Sequence, residues 1–395
     1  MRKRSIGILA TIVLAVFLFF NGTMAKAETG VTDYEIIVGG TMDLSGPIAA
    51  MGYSLKEGNA LYIRYLNDQG GVYGRKITFL IEDDGYQSPR AVQAAKKLVT
   101  KDNIFIMYGV LGAASTEAMY PLLVEYNVPM FIPATQNDLL TTPPRKLLFL
   151  RDTGYTIQAA ISVRYLVETM GVKNPKPAII YQEDITGVQY RNGVKKAFAK
   201  YGITDIPEFS YKRGAVDFGS QMAKCKELGI THVFCYTVVR EPAMILKEAE
   251  RIQYKATYFT SNASVYPKTL ELAGSAVDYS NGYYGIGLMG DLDSQGEKLL
   301  QECIKKYGIS PKADPELHRM AFAAMMTLHE VLNRAGKNLT REGFIKAAET
   351  LTNYDTGLCV PVTWRPDRRD GGRSGRLYKA EKGRWVRLTG WISSD

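Results

Sequence analysis

Two successive series of apolar runs, each alternating with helical patterns, constrain the fold of this chain more than any other feature. The first series predicts buried strands at residues 34–38, 76–82, 104–108 and 129–133. The second series predicts strands at residues 178–181, 206–209, 231–236 and 256–260. Alternation at this spacing is typical of parallel sheets covered by helices on both faces. The sequence therefore predicts an α/β fold with two similar, doubly wound parallel-sheet lobes.

A loop rich in small residues, Gly39 to Gly52, follows the first predicted strand and precedes a predicted helix. Its glycines lie on both sides of a Ser-Gly-Pro turn that begins at Ser45. Such a loop lets bare backbone N–H groups approach a bound molecule, and the helix behind it directs its positive end to the same place. We interpret the loop as a small-molecule cradle, with an ordinary strand-to-helix turn as the alternative.

Residues 1–27 have the organisation of an export signal. Arg2, Lys3 and Arg4 form a charged start, Ile6–Phe20 is almost entirely apolar, and residues 25–27 offer an A-x-A cleavage site. The apolar run is shorter than the roughly 20 residues that span a bilayer, so a cleaved signal is favoured over a permanent anchor. No cysteine stands directly after this segment. The sequence therefore predicts a periplasmic protein that is not a lipoprotein.

The charge balance does not point to a nucleic-acid partner. The formal charge is +9, and the signal segment contributes four basic residues and no acids, so the remainder carries 9 − 4 = +5. Many of the basic residues lie between Arg365 and Arg387. No zinc, helix-turn-helix or RNA-binding motif accompanies them, so we expect a solvated basic face.

Several patterns that resemble cofactor or catalytic motifs lack the context that such motifs need. Residues 285–290 match G-x-G-x-x-G, but they lie late in the chain and no apolar helix follows at once. The three histidines and four cysteines are dispersed, which disfavours a metal or redox site. Asp83 and Asp84 end a strand, where carboxylates usually anchor a loop. The sequence thus predicts no cofactor, no metal and no catalysis.

Short motifs are concentrated between residues 36 and 140, with weaker ones further along the chain. They are Leu44-Ser45-Gly46-Pro47 with Gly52, the run from Leu66 to Arg75, Glu82-Asp83-Asp84, Ser115-Thr116, the run from Pro129 to Ala134 and, later, Asp217-Phe218 and Pro361 to Trp364. Together they resemble the type I periplasmic binding proteins of ATP-driven importers, especially the leucine and branched-chain amino acid group. The resemblance extends over almost all of the chain after the export signal.

The resemblance implies two lobes joined by a hinge of three crossings. The crossings are expected near Arg151 to Gly154, Gly282 to Gly287 and Gly357 to Val360. Lobe I would comprise residues 33–152 plus 284–357, and lobe II residues 153–283 plus 358–395. A ligand would bind between the lobes, at the carboxyl ends of the strands, and the hinge would close the lobes around it.

The residues that hold an amino acid in the leucine-type pattern are replaced in this sequence. The Ser and Thr that hold the ligand carboxylate correspond to Ala113 and Gln136. The Tyr and Glu that hold the ammonium correspond to Val238 and Asn262, and a Tyr beside the first loop corresponds to Met51. The resemblance therefore does not carry over the usual clamp for a zwitterion.

Other side chains near the predicted strand ends can supply the missing contacts. Ser115, Thr116 and Arg240 can meet a carboxylate, because the first two begin a helix and the third is a cation. Asp184 or Glu241 can accept an ammonium group. Ser45, Thr135 and Thr186 complete the set of candidate ligand-binding residues.

The resemblance implies a receptor outside the cytoplasm that captures a small polar ligand, with an amino acid favoured, and delivers it to the permease and ATPase of an ABC transporter. An aromatic or aliphatic carboxylate or an amide without an ammonium group stays open as the ligand, and so does a sensor role for the same fold. An exported hydrolase that uses Asp83, Asp84 and Glu183 is a third alternative. We expect a monomer without a nucleic-acid partner.

Overall fold

The computed structural model describes residues 28–212, 214–238 and 240–394 of the chain. The expected export signal at residues 1–27 lies outside the described residues. Among the helices that are described, none combines the length and the apolar character needed to cross a membrane.

The first lobe is built on a five-stranded sheet in which all neighbouring strands are parallel. The order is β2-β1-β3-β4-β5, with β1 at Glu35–Met42, β2 at Lys76–Asp83, β3 at Ile106–Tyr108, β4 at Met130–Phe131 and β5 at Leu148–Phe149. The four strands predicted in this half are confirmed, and β5 is an addition. Because helices cover both faces, the strands contain near-continuous apolar runs.

Helices cover the sheets of both lobes. In the described residues they are α1 (Ala49–Asp68), α2 (Ser88–Thr100), α3 (Ala113–Glu125), α4 (Tyr155–Arg164), α5 (Ile185–Ala199), α6 (Gly219–Glu227), α7 (Glu241–Arg251), α8 (Pro267–Ala273), α9 (Ala276–Tyr279), α10 (Gln295–Tyr307), α11 (Pro315–Ala335) and α12 (Arg341–Ala348). Ser294, Asp314 and Thr340 accept backbone N–H bonds at the starts of α10, α11 and α12. These caps match the preference for Ser, Asp and Thr at a helix start.

Helix α11 returns to the first lobe and packs along α1. Gly58 permits the close approach, because a Cβ there would lie 2.2 Å from the carbonyl oxygen of His318. Tyr62 packs edge-on against Phe322 with 5.0 Å between ring centroids, and its hydroxyl hydrogen-bonds Nδ1 of His329 at 2.8 Å. This packing fixes the first turn of α11 at the edge of the lobe.

The second lobe contains a mixed sheet in the order β12-β11-β10-β9-β8-β6-β7, with β13 paired to β11. The parallel strands are β6 (Pro177–Gln182), β7 (Glu208–Tyr211), β8 (His232–Tyr236), β9 (Thr257–Thr260) and β10 (Gly282–Gly287), and the antiparallel ones are β11 (Ser374–Glu381), β12 (Arg384–Arg387) and β13 (Ile392–Ser393). The predicted parallel strands are confirmed. The antiparallel edge was not predicted.

The basic tail is partly buried in this antiparallel edge and the segment before it. Arg369 is 2% exposed and pairs with Glu349 at 2.6 Å. Arg376 is 7% exposed and pairs with Asp291 at 2.9 Å. The expectation of a solvated basic face is therefore wrong for these two arginines, because acids distant in sequence neutralise them.

Three stretches of chain pass between the lobes side by side. We place the first at residues 150–154, which contain the expected crossing at Arg151 to Gly154. All of β10 pairs within the second sheet, so we place the second crossing at 288–290 rather than at 282–287. Trp364 lies in the core of the first lobe, so we place the third crossing at 370–373 rather than at 357–360. The lobe boundaries expected at 283/284 and 357/358 then move to 288/289 and 370/371.

Backbone hydrogen bonds tie these stretches to their neighbours. Val360 donates its N–H to the Leu288 carbonyl at 2.9 Å, and Gly290 donates to the Leu358 carbonyl at 2.8 Å. The second crossing is thus bonded to the 358–360 segment of the first lobe. Gly371 donates to the Leu150 carbonyl at 2.8 Å, which joins the third crossing to the first.

We expect Trp364→Ala to lower the free energy of unfolding by about 3–5 kcal/mol. The ring is fully buried, packs 5.1 Å from Phe131 between ring centroids, and donates from Nε1 to the Leu150 carbonyl at 2.7 Å. Chemical denaturation measures the change. Trp391→Ala is the control, because that ring is half-buried, and its cost should stay below about 2 kcal/mol. A loss below about 1 kcal/mol for Trp364→Ala would contradict its place in the core.

Candidate functional site

The loop interpreted as a ligand cradle uses its donors within the protein. The buried carboxylate of Asp43 accepts from the N–H of Gly46 at 2.5 Å. Asp83 accepts from the N–H of Leu44 at 2.9 Å and from the hydroxyl of Ser45 at 2.5 Å. These donors are not available to a ligand, contrary to the cradle interpretation. The alternative, a turn that joins strand to helix, fits the contacts.

Asp83 anchors this turn as a charged acceptor. The Ser45 hydroxyl, the N–H of Leu44 and, further down, the Arg90 guanidinium hold the pKa of Asp83 at about 2, below its usual range. Its neighbour Asp84 accepts from the N–H of Tyr86 at 2.8 Å. Both carboxylates therefore anchor loops, as their position at a strand end predicts.

We expect Asp83→Asn to lower the free energy of unfolding by about 1–2 kcal/mol at pH 7, because a charged acceptor of several hydrogen bonds becomes neutral. The folded state depresses the pKa of Asp83, so this contribution is present above about pH 4 and is lost as the pH falls through 2. Thermal unfolding at pH 7 and pH 2.5 measures both. Asp205→Asn, at an exposed aspartate, is the control. An equal effect at both pH values would contradict the role of charge.

The space expected for a ligand at the carboxyl ends of β1, β3 and β4 is nearly filled. A pocket of about 30 Å³ lies there, between Met42, Ile132 and Met320. Tyr108 closes one side and donates its hydroxyl to Oδ1 of Asn59 at 2.9 Å. This pocket has room for little more than water.

A larger cavity of about 430 Å³ lies between the lobes, beside the crossings. Its size falls within the range of small-molecule sites, roughly 300–1,000 Å³. Gln136 and the α11 residues Glu316, Arg319 and Met320 line it from the first lobe. The second lobe contributes residues after β9, the end of β10 and the β11–β12 hairpin; they include Asn262, Val265, Tyr266, Gly287, Tyr378, Arg384 and Trp385. The cavity is therefore mostly apolar and aromatic, with a few polar groups from both lobes.

A buried glutamine connects the two predicted site residues that line this cavity. Gln158, which is 0% exposed, donates from Nε2 to Oε1 of Gln136 at 3.5 Å and accepts from the N–H of Asn262 at 3.0 Å. Its Nε2 also donates to the Thr153 carbonyl in the first crossing at 2.8 Å. The chain of contacts runs from lobe I through the hinge to lobe II. Movement of either lobe therefore changes the cavity wall.

The glycines of the G-x-G-x-x-G match shape the floor of the cavity. A Cβ at Gly287 would lie 2.3 Å from the ring of Tyr378, and one at Gly285 would lie 3.4 Å from the ring of Trp385. A Cβ at Gly290 would lie 2.0 Å from the Gly357 carbonyl oxygen. The glycines of β10 thus let aromatic rings lie directly on the strand, and Gly290 lets the segment at Gly357 approach the second crossing. The motif is explained by packing and not by dinucleotide binding.

Glu316 is a polar group of the cavity that the sequence did not single out. It lies in the first turn of α11, where an acid is ordinary because it complements the helix dipole. Burial, with the nearby charge of Asp314, raises the pKa of Glu316 to about 7. Within the described part of the chain its carboxylate has no hydrogen-bond or ion-pair partner. Its position in the cavity depends on the approach of Tyr266 from the other lobe, which the local sequence does not show.

The other buried charges beside the cavity are paired. Arg319 and Glu297 lie 2.7 Å apart and are at most 10% exposed. Arg151 and Asp152 in the first crossing lie 2.5 Å apart and are at most 8% exposed. Each pair is neutral as a unit. A buried charge without its partner would be costly, so these pairs are structural.

The other candidate residues lie outside this cavity. Ser115 and Thr116 are buried in α3, where the Thr116 hydroxyl donates to the Gly112 carbonyl at 2.8 Å. Ala113 begins the same helix, and Thr135 accepts from the N–H of Asn137 at 3.2 Å. Met51 and Val238 are 37% and 40% exposed, and Arg240 is exposed before α7.

The two acids that were expected to hold an ammonium group do not line this cavity. Asp184 accepts from the N–H of Gly187 at 2.8 Å, from the hydroxyl of Thr186 at 2.7 Å, and from Gln182, so it caps α5. Glu241 begins α7 and is 8% exposed, but it does not line the cavity. Their geometry therefore disfavours the expected role, and among the cavity-lining residues Glu316 is the carboxylate without a partner.

Known proteins share this architecture and this sequence pattern. A family model described as "Periplasmic binding protein" matches residues 35–384. A Leu/Ile/Val-binding protein homologue from Brucella abortus is 24% identical over 313 residues, which cover 79% of this chain and 82% of the relative. The chain belongs to the periplasmic binding protein family, whose members are solute-binding proteins.

Solved structures have the same two-lobed fold. A branched-chain amino acid ABC transporter protein from Thermus thermophilus, with bound valine, aligns with a TM-score of 0.76 at 20% identity and covers 92% of this chain and 97% of its own. A fatty acid ABC transporter substrate-binding protein from Thermomonospora curvata aligns with a TM-score of 0.73 at 24% identity and covers 93% and 95%. At these identities the likeness shows the fold, which confirms two α/β lobes of the type I class.

We expect Glu316→Gln to raise the free energy of unfolding by about 1–3 kcal/mol at pH 8. The folded state raises the pKa of this carboxyl to about 7, so stability falls as the pH rises from about 4.5 through 7, and the neutral amide avoids that loss. At pH 4 the two proteins should unfold alike. Glu342→Gln, at the exposed first-turn acid of α12, is the control and should gain nothing. Equal stability of Glu316→Gln and the parent at pH 8 would contradict the burial of an unpaired charge.

Proposed function

We propose that this protein captures a small polar molecule between its lobes and delivers it to the permease and ATPase of an ABC importer. The observation that carries the proposal is the cavity of about 430 Å³, which residues of both lobes line beside the crossings. A ligand in such a cavity favours the closed arrangement of the lobes because it contacts both of them. Membership of the solute-binding family supports the same role.

The ligand class we favour is an amino acid, with a related carboxylate or amide as the alternative. Relatives named for leucine, isoleucine and valine binding support the first class. The fatty acid binding protein of similar fold supports the second. The cavity accommodates an apolar or aromatic body, and its polar groups lie on both lobes, so a small molecule with one polar end fits either class.

We further propose that the protein acts as a monomer in the periplasm after removal of residues 1–27, without a lipid anchor. We also propose that it releases its ligand chemically unchanged. Asp83 and Asp84, the acids that a hydrolase would need, anchor loops. That arrangement supports binding without turnover.

Small-angle scattering tests the proposal after a thermal-shift screen of amino acids, small aromatic acids, amides and polyamines. A ligand at 100 times its Kd should stabilise the protein by about 2.7 kcal/mol. Saturating amounts of that ligand should then reduce the radius of gyration, because the lobes close around it. An identical scattering profile with and without ligand would overturn the proposal, and so would chemical conversion of the ligand.

A further inference from the structure

We propose that Glu316 is the acceptor for a cationic nitrogen of the ligand, which it holds against the aromatic wall formed by Tyr266, Tyr378 and Trp385. The inference rests on the proposed function, since it concerns the same cavity. It assigns to lobe I the carboxylate that the leucine-type pattern has in lobe II, where Asn262 now stands.

Charge balance makes Glu316 the group that a ligand would neutralise. Two buried ion pairs lie beside the cavity, Arg319 with Glu297 and Arg151 with Asp152. Within each pair the two charges cancel. Arg384 lines the rim but is solvent-exposed, so water screens its charge. Among the described residues of the lining, Glu316 is left as a half-buried carboxylate without a bonded partner. A cation of the ligand can supply that partner.

The wall opposite Glu316 is suited to a positively charged nitrogen. Rings of Tyr266, Tyr378 and Trp385 line the same cavity, and a cation is attracted to the faces of such rings. The indole N–H of Trp385 is engaged with the Tyr266 carbonyl at 3.2 Å, so this edge of the indole is not free to serve as a donor to an anion. Oδ1 of Asn262 is buried without a partner in the described residues and offers a second acceptor. The wall therefore offers faces and acceptors rather than cations.

Glu316 and Tyr266 of the aromatic wall belong to different lobes but interact electrostatically across the cavity. Burial first, and the charge of Glu316 second, raise the pKa of Tyr266, so the two side chains are electrostatic neighbours across the cleft. Tyr266 stays protonated and cannot compete as an anion. A nitrogen held between them contacts both lobes at once. Its binding would therefore couple directly to closure.

Calorimetry at pH 7 tests the inference with three kinds of probe built on the same two side chains. Leucine and phenylalanine carry both charged groups, leucinamide and phenylalaninamide keep the ammonium alone, and 4-methylpentanoate and 3-phenylpropanoate keep the carboxylate alone. At least one ammonium-bearing probe should bind. Its deaminated partner should bind at least tenfold more weakly.

Variants of Glu316 give the decisive comparison. Glu316→Gln should weaken the ammonium-bearing probe at least tenfold and change the affinity of a deaminated acid less than threefold. Glu316→Asp, which keeps the charge, should retain more affinity than the amide. Glu342→Gln removes an equivalent first-turn acid far from the cavity and should change no affinity. Because Glu316→Gln should be more stable than the parent protein at pH 8, a loss of binding in this variant would not come from a loss of folding.

The possible failures are distinguishable. Unchanged affinity of an ammonium-bearing probe for Glu316→Gln overturns the inference, while contraction of the protein with that probe keeps the proposed function. If only a deaminated acid binds and contracts the protein, the inference is likewise overturned and the proposed function is kept. If all six probes fail to bind, the inference is overturned as well, because it requires an ammonium-bearing molecule of this size to bind. The scattering test with any ligand from the wider screen then decides the proposed function separately.

Discussion

The side-by-side passage of three chain stretches between the lobes is the constraint on which the rest of the structure depends. Backbone bonds join the first crossing to the third, and the buried pair Arg151 and Asp152 lies in the first of them. Asp152 also lines both cavities. The first crossing therefore belongs both to the hinge and to the wall of the site. Removing one partner of the pair would leave a buried charge, which typically costs 3–5 kcal/mol.

The strand and helix order could be predicted because each element carries a local signal. The apolar runs of β1 to β4 and β6 to β9, and the caps Ser294, Asp314 and Thr340, are all legible within a few residues. The antiparallel edge could not be predicted in the same way. Arg376 is buried there only because it pairs with Asp291, which lies far away in the chain. The third crossing was misplaced because Trp364 reveals its lobe only through packing on Phe131 and Phe149.

The candidate site was less predictable than the fold, for a physical reason. Gln136 and Asn262 were named because they correspond to ligand-holding positions of the leucine-type pattern, and both line the cavity. Ser45, Ser115 and Asp184 lie near strand ends, where ligands of open α/β sheets bind, but contacts within the protein satisfy or bury them. Glu316 is the opposite case. Its local sequence suggests an ordinary helix start, and only the approach of the other lobe leaves it half-buried without a partner.

The β11–β12 hairpin has a consequence for how such a protein can change. It supplies Tyr378, Arg384 and Trp385 to the cavity, yet it forms the antiparallel edge of the second sheet and contains none of the crossings. Its rings lie on glycines of β10, which present no side chains of their own to be refitted. Trp385 packs on the core of the second lobe, 5.0 Å from Tyr283 between ring centroids. Mutations in this short segment can therefore alter the shape and chemistry of the site while the hinge and the core of the first lobe stay intact. One side of the cavity wall can thus diverge independently of the chain stretches that move the lobes.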